Sequence, residues 1–196
     1  HTLFYEVLAE LEKVMRNLQN LADKKSIGRS IFDIKTKPTN GKTNVCQMIT
    51  PLAVTTHLSA DKKEGIIEEL VELLVKAGCL AQSEKEVALK DLYEREINMS
   101  TGMQDGIALP HAKTKAIDRI ICAIGVKKEG ADFDSIDGKP STIFVMILAS
   151  AESPESYLQF MAEITKFLMS EENRKNVLSA EDNRVLYELF SSHFKT

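Results

Sequence analysis

Apolar and polar positions alternate in two rhythms along this chain, and the change of rhythm divides it. At the start, Phe4, Leu8, Leu11, Met15 and Leu18 recur at spacings of four and three, with Val7, Val14 and Leu21 alongside. That stripe predicts an amphipathic helix, suited either to docking on a domain or to pairing with another copy of itself. Residues 23–44 are rich in Lys, Thr, Gly and Asn, with Pro38 and an Asn40-Gly41 turn, and read as a linker holding a short ordered piece around Ile31-Phe32. A compact domain is expected from Val45 to the end, giving a division into 1–44 and 45–196.

Within the domain, Val54, Thr56 and Leu58 alternate as in a short strand, and Ser59 or Asp61 is placed to cap the helix that follows. Ile66, Ile67, Leu70, Leu73 and Leu74 give that helix one apolar face, ending at Gly78. Ser83 and Glu86 have the spacing of a capping box, which predicts a second helix to about Glu94. Strands are expected over 106–109, 120–127 and 142–149, with an Asp137-Gly138 turn before the last. The last is apolar throughout, as a central strand covered on both faces is. Helices are expected over 154–170 and 181–193. Helices, then strands, then helices imply an α/β domain: a mixed central sheet flanked by helices, preceded by an N-terminal helical extension.

Composition narrows the function classes. The chain has 196 residues, 43% of them hydrophobic and 28% charged, which is globular rather than disordered. A net charge of −4 disfavours nucleic acid as the main partner. Cys46, Cys79 and Cys122 are widely spaced, with no Cys-x-x-Cys pair, which suits a reducing cytosol and offers neither a disulfide framework nor a zinc site. No apolar run approaches the roughly 20 residues that span a bilayer. The first residue is His1 rather than Met, so a fragment of a longer polypeptide is expected, whose parent can be a membrane protein. The seven methionines are scattered like core gap-fillers, and His57 and His193 lack a second ligand at metal spacing, so no metal is expected. There is no Walker-type glycine loop, no direct use of ATP and no cofactor in this reading.

The candidate chemistry sits in Gly106–Lys113, read Gly-Ile-Ala-Leu-Pro-His-Ala-Lys. A short apolar run meets Pro110, which fixes its own φ and lacks an N–H, so the strand must stop there or lie at a sheet edge. His111 follows at once, on well-defined backbone near solvent, and its side chain can serve as a neutral nucleophile near pH 7. Upstream lie Arg95 and the triplet Ser100-Thr101-Gly102.

These residues resemble the phosphorylation-site region of the fructose/mannitol/nitrogen-type enzyme IIA domains of the bacterial phosphotransferase system. Arg95, Ser100, Thr101, Gly102, Gly106, Ile107, Ala108, Pro110 and His111 carry the resemblance, which extends over about residues 45–193. It implies the mixed α/β fold and a phosphorylated histidine, His111, that reacts through its ε nitrogen while the δ nitrogen is held by a neighbouring acceptor. Arg95 takes the place of the phosphate-facing arginine, where a planar fork suits a phosphoryl group better than lysine. Ser100, Thr101 and Gly102 either line the phosphate or form a plain polar loop. The resemblance breaks at Tyr157, where the family commonly has a second histidine; a phenol donates a hydrogen bond but carries no positive charge.

The implied function is a phosphoryl carrier that accepts phosphate from the histidine phosphocarrier protein HPr and passes it to an enzyme IIB domain. The alternative is a regulatory module attached to a membrane transporter or regulator, tuned by the charge of its phosphohistidine. Both place the domain in the cytoplasm, and self-association through the N-terminal helix is compatible with either.

Overall fold

The computed structural model describes residues 48–150 and 154–194, so the expected N-terminal helix and linker lie outside the described residues. In chain order the elements are β1 (Ile49–Thr55), α1 (Lys63–Lys76), a 3₁₀ turn (Gln82–Glu84), α2 (Lys85–Asn98), β2 (Ile107–Ala108), β3 (His111–Thr114), β4 (Ile121–Ala131), β5 (Ser141–Ser150), α3 (Pro154–Met169), α4 (Glu171–Leu178) and α5 (Asn183–His193). They build the mixed α/β domain that the pattern predicts. The five-stranded sheet runs β1-β4-β5-β2, with β3 also on β5. β1 is parallel to β4, β4 antiparallel to β5, and β2 and β3 both parallel to β5.

The two long strands β4 and β5 show why both faces need helices. Cys122, Ile124, Val126, Ile143, Val145 and Ile147 point to one core, closed by Phe160 and Ile164 of α3, Val177 of α4 and Phe190 of α5. Ala123, Phe144, Met146 and Leu148 point to the other, closed by Ile66, Ile67, Leu70 and Leu74 of α1 and by Ala88, Leu89 and Leu92 of α2. Runs without a polar side chain, residues 121–126 of β4 and 143–149 of β5, are the result.

The local expectations fail where a tertiary partner replaces the local one. β1 starts five residues before Val54 because Pro51 and the exposed Leu52 lie on a sheet edge, where a register shift breaks the alternation. Neither Ser59 nor Asp61 caps α1, whose N-cap is Lys62 without a side-chain bond. Instead the Glu69 carboxylate reaches back from the helix and accepts the N–H of Ser59 at 2.9 Å and of Ala60 at 2.6 Å. The Ser83–Glu86 capping box does not form either; a 3₁₀ turn leads directly into α2, and the Glu84 N–H bonds the Ala81 carbonyl at 3.0 Å. α2 then runs on to Asn98, four residues past the expected end, which puts Arg95 and Glu96 on its last turn.

Two elements have no counterpart in the sequence reading. α4, with Ser170 accepting from the Asn173 N–H at its N-cap, has Val177 as its buried residue, so no stripe announces it. The second is β3. The strand is interrupted, not ended, at Leu109-Pro110: Ile107 lies beside Ile143 and His111 beside Ile147, an equal step of four on both strands. β2 and β3 are one edge strand with a two-residue gap, and His111 opens its second half.

Candidate functional site

The site is assembled from the end of α2, the turn after it, the β2–β3 edge and the first turns of α3. Asp105 (φ 62°) and Gly106 (φ 74°) adopt left-handed backbone, and Gly102 bridges back to Ala108, so residues 102–108 fold as a tight hairpin. At Gly102 a Cβ would stand 2.6 Å from the Phe133 carbonyl oxygen and 2.9 Å from Ser135 Cα, so glycine is required there by space alone.

His111 is half-buried, and its Nδ1 lies 2.7 Å from the Leu109 carbonyl oxygen. A carbonyl only accepts, so Nδ1 carries the hydrogen and the Nε2 lone pair is left bare. Pro110 makes this possible. It contributes no N–H of its own, and it holds Leu109 in extended backbone. The Leu109 N–H donates to the Thr101 carbonyl at 3.1 Å, and the Pro110 carbonyl accepts from the Ile147 N–H at 2.9 Å. The imidazole pKa lies below the usual histidine value: burial lowers it most, the Leu109 carbonyl opposes, the Arg95 charge lowers it and the Glu96 charge raises it. The ring is therefore neutral at pH 7.

Arg95 is half-buried and spends Nη1 on the Met99 carbonyl at 2.9 Å. Its two neighbouring carboxylates bond elsewhere, Glu94 to Lys90 at 3.7 Å and Glu96 to Lys63 at 3.3 Å. The Arg95 charge instead bears on His111 and on Tyr157. Tyr157, buried in the α3 core, sets its ring 6.2 Å from that of His111. Burial pushes its hydroxyl up to about 12 against the pull of Arg95, so it is a neutral donor across the physiological range. Lys113 Nζ lies 6.0 Å from the Tyr157 ring centroid, a cation on the His111 side of the edge strand.

The small polar triplet is spent inside the protein. The Ser100 hydroxyl donates to the Phe133 carbonyl at 2.7 Å and accepts the Gly102 N–H at 3.1 Å. The Thr101 N–H and hydroxyl both donate to the Glu96 carboxylate, at 2.8 and 2.7 Å. These residues support the site from behind. The sequence reading expected an acceptor for Nδ1 without naming the Leu109 carbonyl, and gave no role to Glu96, Lys63 or Lys113. A carbonyl two positions before the histidine and one before a proline is a signal for the first; the others come together only through the fold.

His57 Nδ1 meets the Thr56 hydroxyl at 2.8 Å, and His193 packs on Phe167 and Phe194 with ring centroids at 5.0 and 5.1 Å. Among the described residues no cluster of His, Cys, Asp and Glu could hold a metal ion. No helix among them is long and apolar enough to cross a membrane.

Residues 47–193 match the family model described as phosphoenolpyruvate-dependent sugar phosphotransferase system, EIIA 2. The chain is 37% identical over 144 residues to a fructose-specific EIIA component of Haloferax volcanii, covering 73% of this chain and 92% of that protein. It is 32% identical over 151 residues to a fructose-specific EIIABC component of Bacillus subtilis, covering 77% of this chain and 24% of that longer protein. Among solved structures, the nitrogen regulatory protein IIA-Ntr of Neisseria meningitidis superposes with a TM-score of 0.67 at 19% identity, covering 74% of this chain and 97% of that one. The mannitol enzyme IIA of Escherichia coli, in complex with phosphorylated enzyme IIB, superposes at 0.62 and 19% identity, covering 74% and 97%.

Proposed function

This chain belongs to the EIIA 2 family of the phosphoenolpyruvate-dependent sugar phosphotransferase system, and from that premise we propose that His111 Nε2 is the atom on which it carries a phosphoryl group. The supporting observation is the 2.7 Å bond from Nδ1 to the Leu109 carbonyl, which leaves Nε2 with its lone pair on a half-buried, neutral ring. In the transfer, Nε2 bonds to phosphorus as the bond to the donor nitrogen breaks, and the electron pair of the broken bond returns to the donor. Such a transition state is loose, so the protein's work is to position and to neutralise charge. Arg95 supplies the positive fork and Tyr157 a neutral donor. Ser100, Thr101 and Gly102 hold the turn beneath the ring. The Nδ1–H bond also steadies the ring once Nε2 is substituted.

The donor is phosphorylated HPr and the acceptor an enzyme IIB domain. The mannitol neighbour is captured with its own phosphorylated IIB, and the Bacillus subtilis relative carries its EIIA, B and C parts in one chain. The exchange takes place in the cytosol. The nitrogen regulatory neighbour supports a regulatory use of the same phosphohistidine, with no change in the chemistry.

Incubation with phosphoenolpyruvate, enzyme I and HPr adds one acid-labile, base-stable phosphate per chain. His111→Ala abolishes it, while His57→Ala and His193→Ala leave it intact. Labelling that survives His111→Ala would falsify the assignment.

A further inference from the structure

The nucleophile is tied to a buried ion pair by an unbroken series of hydrogen bonds. Lys63 Nζ, on the first turn of α1, stands 3.3 Å from a Glu96 carboxylate oxygen and 2.7 Å from Asp134. Burial lowers the Lys63 pKa, but the bonds and charges of Asp134 and Glu96 outweigh it, so the ammonium is secure. Glu96, only 7% exposed, accepts both the N–H and the hydroxyl of Thr101. The Thr101 carbonyl then accepts the Leu109 N–H at 3.1 Å, and the Leu109 carbonyl accepts Nδ1–H of His111 at 2.7 Å.

A buried carboxylate held this way is costly unless it is fully bonded, and Glu96 is: one ammonium and two donors from Thr101. Nothing in the chemistry of phosphoryl transfer needs this carboxylate near the phosphate, whose charge it would repel. Its bonds go to Lys63 on α1 and to Thr101, whose carbonyl in turn holds Leu109.

We infer that Glu96 is a positioning residue: paired with Lys63, it fixes Thr101 and through it Leu109, whose carbonyl keeps His111 in the Nδ1–H tautomer with Nε2 free. The outer partner of a histidine sets its tautomer and ring orientation here as it does at metal sites. The inference rests on the reading of His111 as the acceptor, but the ring itself reports on it without any phosphorylation.

The test uses nitrogen NMR of the unphosphorylated full chain, labelled at histidine ring nitrogens. The expected wild-type pattern has Nδ1 pyrrole-like and Nε2 pyridine-like. Glu96→Ala and Thr101→Val each move the two shifts towards one another, as Nε2–H forms appear. The phosphorylation rate falls about three- to tenfold with the competent fraction. Glu96→Gln keeps an acceptor for Thr101 and retains the wild-type pattern, which separates geometry from charge. A folded Glu96→Ala and a folded Thr101→Val that both keep the wild-type pattern overturn the inference, and if Glu96→Ala does not fold, Thr101→Val decides alone. Loss of labelling in His111→Ala is a separate result: its absence would sink the acceptor assignment and leave the tautomer measurement standing.

Discussion

On the proposed function, Arg95 and Tyr157 would divide unequally the charge that a phosphoryl group on His111 brings to the site. Arg95 offers a permanent cation whose field reaches both rings. Tyr157 is held neutral by burial, its hydroxyl pushed up to about 12. A charge-assisted hydrogen bond contributes roughly 1.5–3 kcal/mol, so Arg95→Ala is expected to slow phosphorylation about ten- to a hundredfold. Tyr157→Phe keeps the packing and removes a neutral donor, at a cost of about 1 kcal/mol or less. Tyr157→His adds the second imidazole of the wider family and speeds transfer to a generic acceptor. Rates for the three variants under one set of conditions check this; a wild-type rate for Arg95→Ala with an inactive Tyr157→Phe reverses the division of roles. At this scale the sequence singled out His111 and Arg95 as candidates, because Pro110-His111 and the arginine sixteen positions before it can be read without the fold. It misassigned the capping roles of Ser59 and Ser83, because the groups that replace them, Glu69 and the 3₁₀ turn, act through the fold.

The hairpin of residues 102–108 is the element on which the site depends most. Its sharp return needs left-handed backbone at Asp105 and Gly106 and an absent side chain at Gly102. Gly102→Ala drives a methyl into backbone atoms of Phe133 and Ser135, which have no rotamer to escape by. A loss of about 1–3 kcal/mol is expected from such overpacking, read as a lower urea midpoint at unchanged slope. An unchanged midpoint would show that the Phe133–Ser135 segment yields. The helices with a strong stripe, α1, α3 and α5, and the apolar strands β4 and β5 were legible in the pattern, since each buries its own periodicity. α4 was not, with Val177 as its buried residue, and β3 was hidden because Pro110 reads as an end, whereas the ladder to β5 resumes on the same offset.

At the scale of the whole molecule, the described residues between 48 and 194 build a core on each face of the sheet, and the family match covers 47–193. A fragment of residues 45–196 is therefore expected to fold cooperatively and to accept phosphate at His111 like the full chain. Circular dichroism melts and the labelling assay check it; a fragment that unfolds, or folds without being labelled, makes the first 44 residues part of the carrier. The sheet has a further property that bears on its life among partners. Both of its outer strands are spoiled as templates for a visiting strand. β1 carries Pro51 and a register shift, and the β2–β3 edge carries Pro110, an exposed Lys113 and a Leu109 N–H already given to Thr101. An open row of backbone donors would invite edge-to-edge growth between copies, and prolines with an edge lysine are a common protection against it. A partner docking at His111 as proposed would then have to engage side chains and leave again, rather than zip onto the backbone and stay.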